Sequence, residues 1–185
     1  MPELTSPTTD LHKSWLDARD DWGRGVHQDG AGLRDFDDVD SPEGFARFVQ
    51  RLHDEDKPDI EPEPGRVNTT YWWITDGDTV LGGISLRREL NDFLLEQGGN
   101  IGYGVRPSAR GRGLAGWALR EVLGKARDLG LTRALVTCHV TNDASRRVIE
   151  RAGGVFEDIR DGRLGPTRRY WFTLQAERHN PASAA

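Results

Sequence analysis

The segment NIGYGVRPSARGRGLA, residues 100–115, passes directly from a strand pattern to a helix pattern. Residues 100–105 predict a short strand, Pro107 ends it, and an apolar stripe at helical spacing continues to residue 129. Glycines at such a junction let the backbone turn tightly, so that successive N–H groups and the positive end of the helix face an anion. The segment therefore predicts an anion-binding loop, and a diphosphate is the ligand that fits it best.

Two other glycine-loop motifs were compared with this segment. Gly111, Gly113 and Gly116 match the G-x-G-x-x-G pattern of dinucleotide-binding folds, but that motif belongs directly after a first strand, and here about a hundred residues come first. A Walker A loop needs Gly-Lys-Ser/Thr, and the chain has no such triplet. Gly102 and Gly104, inside the strand itself, predict a bulge or a close approach by another backbone or a ligand.

The rest of the chain predicts an α/β domain around this segment. Two N-terminal helices are expected over residues 11–25 and 42–53, the second starting at the cap signal Ser41-Pro42-Glu43. Residues 69–75 and 79–86 form a predicted hairpin, a helix is expected over 142–152, and further strands over 133–140, 155–159 and 170–174. We expect flexible termini at 1–10 and 176–185 and one domain over 11–175.

Composition excludes several classes of protein. The chain has 185 residues, 25 Lys and Arg, 30 Asp and Glu, and one cysteine, so it has room for one core, cannot form an internal disulfide, and shows no zinc spacing or other metal motif. It has neither a signal-like leader nor an apolar run near ~18 residues, which predicts a cytoplasmic protein without membrane contact. Its acidic balance argues against nucleic-acid binding. The oligomeric state stays open, and a homodimer is compatible with the sequence.

Two segments carry a family resemblance. RGRGLA, residues 110–115, resembles the R/Q-x-x-G-x-G/A signature of the GNAT superfamily of N-acetyltransferases, and NDAS (142–145) followed by VIERAGG (148–154) resembles the family's second conserved region. More narrowly, the chain resembles a bacterial subgroup of predicted acetyltransferases. The resemblance implies a mixed, mostly antiparallel sheet that splays between its fourth and fifth strands, with about four flanking helices. It also implies that acetyl-CoA, the co-substrate, binds in the split.

The resemblance also assigns residues to the co-substrate. Backbone N–H groups of the loop hold its diphosphate, the splayed strand binds the pantetheine arm, and an N–H near Val105 stabilises the oxyanion. Asn142 has two open roles, a pantetheine contact and a helix N-cap. The full set of expected cofactor-binding residues is Tyr103, Gly104, Val105, Arg110, Gly111, Arg112, Gly113, Leu114, Ala115, Asn142 and Ser145.

One departure from the family pattern affects the catalytic residues. The tyrosine that protonates the leaving thiolate in many family members is Ile149 here, and Tyr103 or Tyr170 is expected to replace it, each with core packing as the alternative role. An amine acceptor must also lose a proton. The candidates for that base, each of which has a purely structural alternative, are Glu89, Asp92, Glu96 and His139.

The function implied is direct acetyl transfer from acetyl-CoA to a primary amine. Residues 1–66 contain 17 acidic and 8 basic residues. The resemblance implies that the two N-terminal helices and the loop over residues 30–40 form a wall of the acceptor site, and this loop contains the acidic segment GLRDFDDVD (32–40). We therefore expect a cationic small molecule as acceptor. A protein N-terminus or lysine is the alternative acceptor, and a non-catalytic acyl-CoA-binding module is the alternative function.

Overall fold

A single twisted sheet organises the described part of the chain, residues 1–174 of the computed structural model. The strand order is β1-β2-β3-β4-β5-β7-β6. The strands are β1 (Pro2–Thr5), β2 (Thr69–Asp76), β3 (Thr79–Arg87), β4 (Ile101–Val105), β5 (Arg133–His139), β6 (Val155–Arg160) and β7 (Thr167–Thr173). The α-helices are α1 (His12–Trp22), α2 (Pro42–Asp54), α3 (Leu114–Asp128) and α4 (Asp143–Arg151).

The sheet opens between β4 and β5, which run parallel, whereas the other neighbouring strands are antiparallel. Only Ile101 and Val136 pair across this junction. Asn100 holds the strands together at the end of the junction where Ile101 and Val136 pair. Its Oδ1 accepts from the N–H of Leu135 at 2.8 Å, and its Nδ2 donates to the carbonyl of Arg87 at 2.9 Å. Beyond that clamp the strands diverge, so the predicted mixed sheet with a split between its fourth and fifth strands is confirmed.

Each face of the sheet carries its own core. The face under α3 and α4 buries aliphatic side chains such as Ile84, Ile101 and Val122. The face under α1 and α2 buries an aromatic cluster of Trp15, Phe45, Phe48 and Trp73. The amphipathic stripes of the helices produce this arrangement, because each helix buries its apolar side against one sheet face.

The N-terminus differs from its prediction. The expected flexible lead over residues 1–10 contains strand β1, which pairs with β2, and the hydroxyls of Thr5 and Thr75 lie 2.7 Å apart. The short polar sequence of β1 gives little strand signal, but β2 offers an open edge whose backbone groups need partners. The sequence reading also missed the short π-helical turn Leu94–Gly98. The predicted flexible C-terminus, 176–185, lies outside the described residues.

Candidate active site

The glycine loop before α3 has the form expected of an anion site. Gly111 and Gly113 both adopt φ +77°, a left-handed conformation that favours glycine, and a Cβ at either position would have no heavy atom within 4 Å. The N–H groups of residues 111–116 have no acceptor among the residues that the structure describes. Because α3 starts at Leu114, directly after the loop, the free N–H groups of its first turn and the positive end of its dipole lie beside the free N–H groups of the loop. These features fit a diphosphate.

Contacts with α1 hold the loop in place. The carboxylate of Asp21 accepts from Arg106 Nε at 2.8 Å and from Ser108 Oγ at 2.6 Å. These hydrogen bonds lower the pKa of Asp21 to about 2. Arg110 donates from Nε to the carbonyl of Val105 at 3.0 Å, and its guanidinium lies 4.8 Å from the ring of Trp22. Arg106 therefore has a structural role as the partner of Asp21, whereas the side chain of Arg112 is exposed.

The backbone of β4 presents polar groups to the split. Arg87 and Asn100 are hydrogen-bonded across β3 and β4, as are Leu81 and Arg106, and such pairs alternate along antiparallel strands. Gly102 and Gly104 therefore bond to β3, whereas the N–H groups of Tyr103 and Val105 point away from it, into the split.

The two tyrosines predicted as proton donors differ in their position relative to the split. The hydroxyl of Tyr103 lies 2.8 Å from Ser145 Oγ, so it bridges β4 and α4 beside the split, and burial raises the pKa of this phenol. Tyr170 is buried in β7 and donates to Glu150 Oε1 at 3.1 Å; its pKa is raised to about 12, mainly by burial. Ile149 is fully buried in the core. Only Tyr103 thus borders the split.

The other predicted cofactor contacts begin α4. Asn142 Oδ1 accepts from the N–H of Ser145 at 3.0 Å, which makes Asn142 the N-cap of that helix. This contact supports the N-cap role, one of the two left open for Asn142. Its role in cofactor binding, like those of the other assigned site residues, stays a prediction.

On the sheet face that carries α1 and α2, the loop between these helices lies directly on glycines of β3 and β4. A Cβ at Gly30 would lie 2.5 Å from the carbonyl oxygen of Gly102, and one at Gly104 would lie 2.9 Å from the carbonyl oxygen of Asp29. The predicted close approach at Gly102 and Gly104 is therefore made by another backbone. The α1–α2 loop therefore forms one wall beside the split, on the sheet face that carries α1 and α2.

Three carboxylates of the acidic segment have partners within the domain. Asp37 pairs with Arg51 at 2.6 Å, and Asp40 pairs with Arg19 at 2.8 Å. Asp38 accepts a hydrogen bond from the hydroxyl of Ser41 at 2.5 Å beside the start of α2. Two of the four acidic side chains in residues 32–40 are thus paired closely with arginines, whereas Asp35 is exposed, so a cationic acceptor stays a prediction with weaker support from this segment.

The base candidates are scattered. His139, at the end of β5, borders the split, and its Nδ1 lies 2.8 Å from the hydroxyl oxygen and 3.2 Å from the backbone nitrogen of Thr141. Glu96 forms an ion pair with Arg160. Glu89 and Asp92 are exposed beyond the end of β3 that lies away from the open split. Of the four, only His139 lies beside the split.

One cavity of the described chain lies apart from the split. A cavity of about 310 Å³ between α2 and residues 60–68 is lined by side chains already joined in ion pairs, such as Arg34 with Glu55, and by no residue of β4, β5 or the glycine loop. Within residues 1–174, no group of three or more His, Cys, Asp or Glu side chains is arranged to hold a metal ion. None of the helices there is long and apolar enough to span a membrane.

Comparison with known proteins identifies the family. The family model described as the acetyltransferase (GNAT) domain matches residues 33–155, more than half of the chain. The chain belongs to the GNAT acetyltransferase family. GNAT enzymes use acetyl-CoA as co-substrate, and the split and the glycine loop are the parts of this GNAT domain that fit it. No curated protein sequence matches the chain.

Solved structures with this fold include several acetyltransferases. The ribosomal-protein-S5-alanine acetyltransferase of Vibrio fischeri has a TM-score of 0.71 at 14% identity, covering 94% of this chain and 93% of that one. The microcin C7 self-immunity acetyltransferase MccE, in complex with acetyl-CoA and AMP, has a TM-score of 0.68 at 14% identity, covering 94% and 92%. The ribosomal L7/L12 α-N-protein acetyltransferase RimL, in complex with coenzyme A, has 0.67 at 17%, covering 94% and 94%. At these identities the likeness concerns the fold.

The sequence reading missed several residues of the site. Asp21 and Trp22, which contact the loop region from α1, and Asn100, which clamps the split, carry no local motif. Arg87 is a fourth, since its side chain approaches the split from β3. Nothing in the neighbouring sequence marks these residues, and their place near the split follows only from contacts between segments that are distant in the chain.

Proposed function

We propose that this GNAT protein transfers the acetyl group of acetyl-CoA directly to the primary amine of a small molecule. The observation that carries the proposal is the open β4–β5 split, with the free N–H groups of residues 111–116 at one side and the N–H groups of Tyr103 and Val105 inside it. Acetyl-CoA supplies the activated acetyl thioester. The chain supplies orientation and hydrogen-bond donors.

The split's backbone and one phenol account for the chemical steps. The N–H of Val105 points away from β3 into the split, which supports a role as the donor to the thioester oxygen as negative charge develops there, the role of an oxyanion hole. Tyr103 holds its proton across the neutral pH range because burial raises its pKa, so it is available to protonate the leaving sulfur. A thiol with a pKa of about 8.5 is already a good leaving group, so a single donor suffices.

Removal of the amine proton is assigned less directly. His139 is the base candidate beside the split, and its Nδ1 lies 2.8 Å from the hydroxyl oxygen of Thr141. In the tautomer that donates from Nδ1 to this hydroxyl, Nε2 is unprotonated and can accept the proton of the amine, directly or through water.

We assign the acceptor to the sheet face under α1 and α2, here named the acceptor face, and the shape of this face favours a slender acceptor. The α1–α2 loop lies on β4, and the turn between β6 and β7 approaches His139, since a Cβ at Gly165 would lie 3.2 Å from Nε2. A small amine or an extended chain end fits between these walls more readily than a lysine on a folded surface. Arg87, whose recorded hydrogen bonds are long contacts to two carbonyls and which has no carboxylate partner among the described residues, favours a small acceptor that carries its own anionic group.

The test measures binding and turnover separately. Calorimetry with acetyl-CoA measures co-substrate binding, and a thiol-release assay over a panel of amines, with mass spectrometry of the products, measures acetyl transfer. We expect micromolar binding and release of thiol with at least one small amine. Failure of acetyl-CoA to bind would contradict the placement of the co-substrate.

A non-catalytic acyl-CoA-binding module is the second candidate, favoured by the fully buried Ile149 at the position of the usual acid. Tight acetyl-CoA binding together with no thiol release from small amines, N-terminal peptides or lysine peptides would support it. Acetylation of peptides alone would instead favour a protein acceptor.

A further inference from the structure

Arg87 occupies a special place on the acceptor face. It ends β3, and its side chain lies on the same face as Gly83, which contacts the α1–α2 loop. Its Nη1 is 3.6 Å from the position of a Cβ on Gly102 and 3.3 Å from the carbonyl oxygen of Gly99. A Cβ at Gly99 would in turn lie 2.7 Å from the carbonyl of Leu135 in β5. The guanidinium therefore lies where β4 and β5 begin to separate.

The other strongly buried arginines of the described chain pair with carboxylates. Their partners lie at 2.6 to 2.8 Å, in the pairs Arg19–Asp40, Arg34–Glu55, Arg51–Asp37, Arg106–Asp21 and Arg169–Asp158. Arg168, which is half-buried, donates to the carbonyl of Val140, but its side chain lies on the opposite face of the sheet, with Cys138 and Tyr170.

Arg87 has no such partner within residues 1–174. Its recorded hydrogen bonds are long contacts from Nη1 to the carbonyls of Gly98 and Gly99, at 3.4 and 3.3 Å. Asp29 acts on it only at a distance and forms its own pair with His27 at 3.2 Å. Burial lowers the pKa of Arg87, as expected for a charge without a close counterion.

The unused donors of Arg87 have a definite shape. Nε and Nη2 have no acceptor among the described residues, and neither atom is sealed from solvent. Together they form the edge of a planar guanidinium that binds a carboxylate or phosphate through two parallel hydrogen bonds. An uncompensated cation is costly to bury, so an anion at this position would satisfy it.

We propose that Arg87 binds a carboxylate or phosphate of the acceptor, so that the substrate is a small amine with an anionic group near the amine that is acetylated. This inference rests on the proposed function for the reaction, but not for the binding of the anion. It replaces the cationic acceptor suggested by the sequence. Arg87 is then a specificity-determining residue that orients the acceptor at the split.

The first experiment measures equilibrium binding and needs no turnover. Calorimetry with the full chain saturated with CoA compares O-phosphoethanolamine with ethanolamine, and phenylalanine with phenethylamine. We expect the anionic member of at least one pair to bind at least about tenfold more tightly, and the pair that discriminates identifies phosphate or carboxylate as the group. Arg87→Gln should remove the preference, and Arg87→Lys should retain part of it.

Arg133→Gln is the matched control, because Arg133 begins β5, away from the open end of the split, and stacks on Trp171. It removes the same charge and should retain the preference. Equal binding of both members of each pair by the wild type, or an unchanged preference in Arg87→Gln, overturns the inference.

Thermal unfolding separates a binding role from a structural one. Because Arg87 has no counterion, Arg87→Gln should leave the unfolding midpoint of the ligand-free protein unchanged or raise it. Arg169→Gln, which leaves Asp158 without its buried partner, should lower the midpoint. A large loss of stability in Arg87→Gln would mark Arg87 as structural and overturn the inference.

Turnover on the same amine pairs then distinguishes this inference from the proposed function. An Arg87-dependent preference in kcat/KM supports both. An Arg87-dependent binding preference without thiol release contradicts the proposed function and leaves the anion site in place. Thiol release that favours the uncharged amines, equally in wild type and Arg87→Gln, retains the proposed function and overturns the anion site.

Discussion

The two faces of the split differ in how their residues come together. On the co-substrate face, one continuous segment supplies the end of β4, the glycine loop and the start of α3. On the acceptor face, the α1–α2 loop, the end of β3, the glycines of β4 and the end of β5 meet from distant parts of the chain. A diphosphate site requires mainly backbone N–H groups, which a local motif can present. An acceptor site requires specific side chains, which only tertiary packing brings together.

The largest expected effect tests the co-substrate face. Gly113→Val forces a β-branched residue into φ +77° and displaces free N–H groups of the loop. Acetyl-CoA binding measured by calorimetry should weaken by more than about a hundredfold, or about 2.7 kcal/mol. Gly130→Val is the control, since Gly130 has φ +89° and no heavy atom within 4 Å of its Cβ position, at the other end of α3. Equal binding by both variants would contradict the placement of the diphosphate.

The next effect tests the acceptor face alone. Gly30→Ala would place a Cβ 2.5 Å from the carbonyl of Gly102, so the α1–α2 loop must move away from β4. We expect kcat/KM for the amine to fall by about a hundredfold, because a small displacement of a positioning wall is costly. The dissociation constant of acetyl-CoA should stay nearly unchanged. Gly65→Ala has similar φ strain (+80°) with open space around it and should retain activity; loss of acetyl-CoA binding in Gly30→Ala would show that the faces are not independent.

A smaller effect tests the phenol that borders the split. Tyr103→Phe removes the proposed donor to sulfur and should lower kcat by about tenfold, less than is usual for general acids because a thiolate leaves easily. This loss of kcat should be the same from about pH 6 to about pH 9, since the raised pKa keeps Tyr103 protonated throughout that range. Tyr170→Phe, which loses only the contact with Glu150, should keep its kcat. A larger kcat loss in Tyr170→Phe than in Tyr103→Phe would reverse the assignment.

The smallest effect concerns the contact that joins α1 to the glycine loop. The pKa of Asp21 is lowered from 3.8 to about 2, so its ionised form stabilises the folded state above the unfolded pKa, and this stabilisation is lost as the pH falls from about 4 towards 2. Asp21→Asn should therefore lower the thermal midpoint by a few degrees at pH 7 and weaken acetyl-CoA binding slightly. The difference from wild type should shrink as the pH falls through this range. A difference that stays constant down to pH 2 would show that the charge of Asp21 is not responsible.

Much of the fold could be predicted because its signals are local. The helix start at Ser41-Pro42, the turn at Asp76-Gly77-Asp78 and the apolar stripe of α3 each act within a few residues, and all appear in the structure. Strand β1 could not be predicted, because its reason to form is the open edge of β2. The pairing within the acidic segment could not be predicted for a similar reason, since Asp40 and Asp37 pair with Arg19 and Arg51, which lie elsewhere in the chain.

The sequence by itself determined the glycine loop, the helix that follows it and therefore the family and its co-substrate, because backbone conformation at glycines is a property of a few neighbouring residues. Only the tertiary structure decided which charges remain without partners. It paired Asp40 and Asp37 of the acidic segment with arginines of α1 and α2 and left Arg87 beside the split without a carboxylate among the described residues. A side chain's charge can be read from the sequence, but its counterion is set by packing between distant segments, and that packing points the acceptor's chemistry towards an anion.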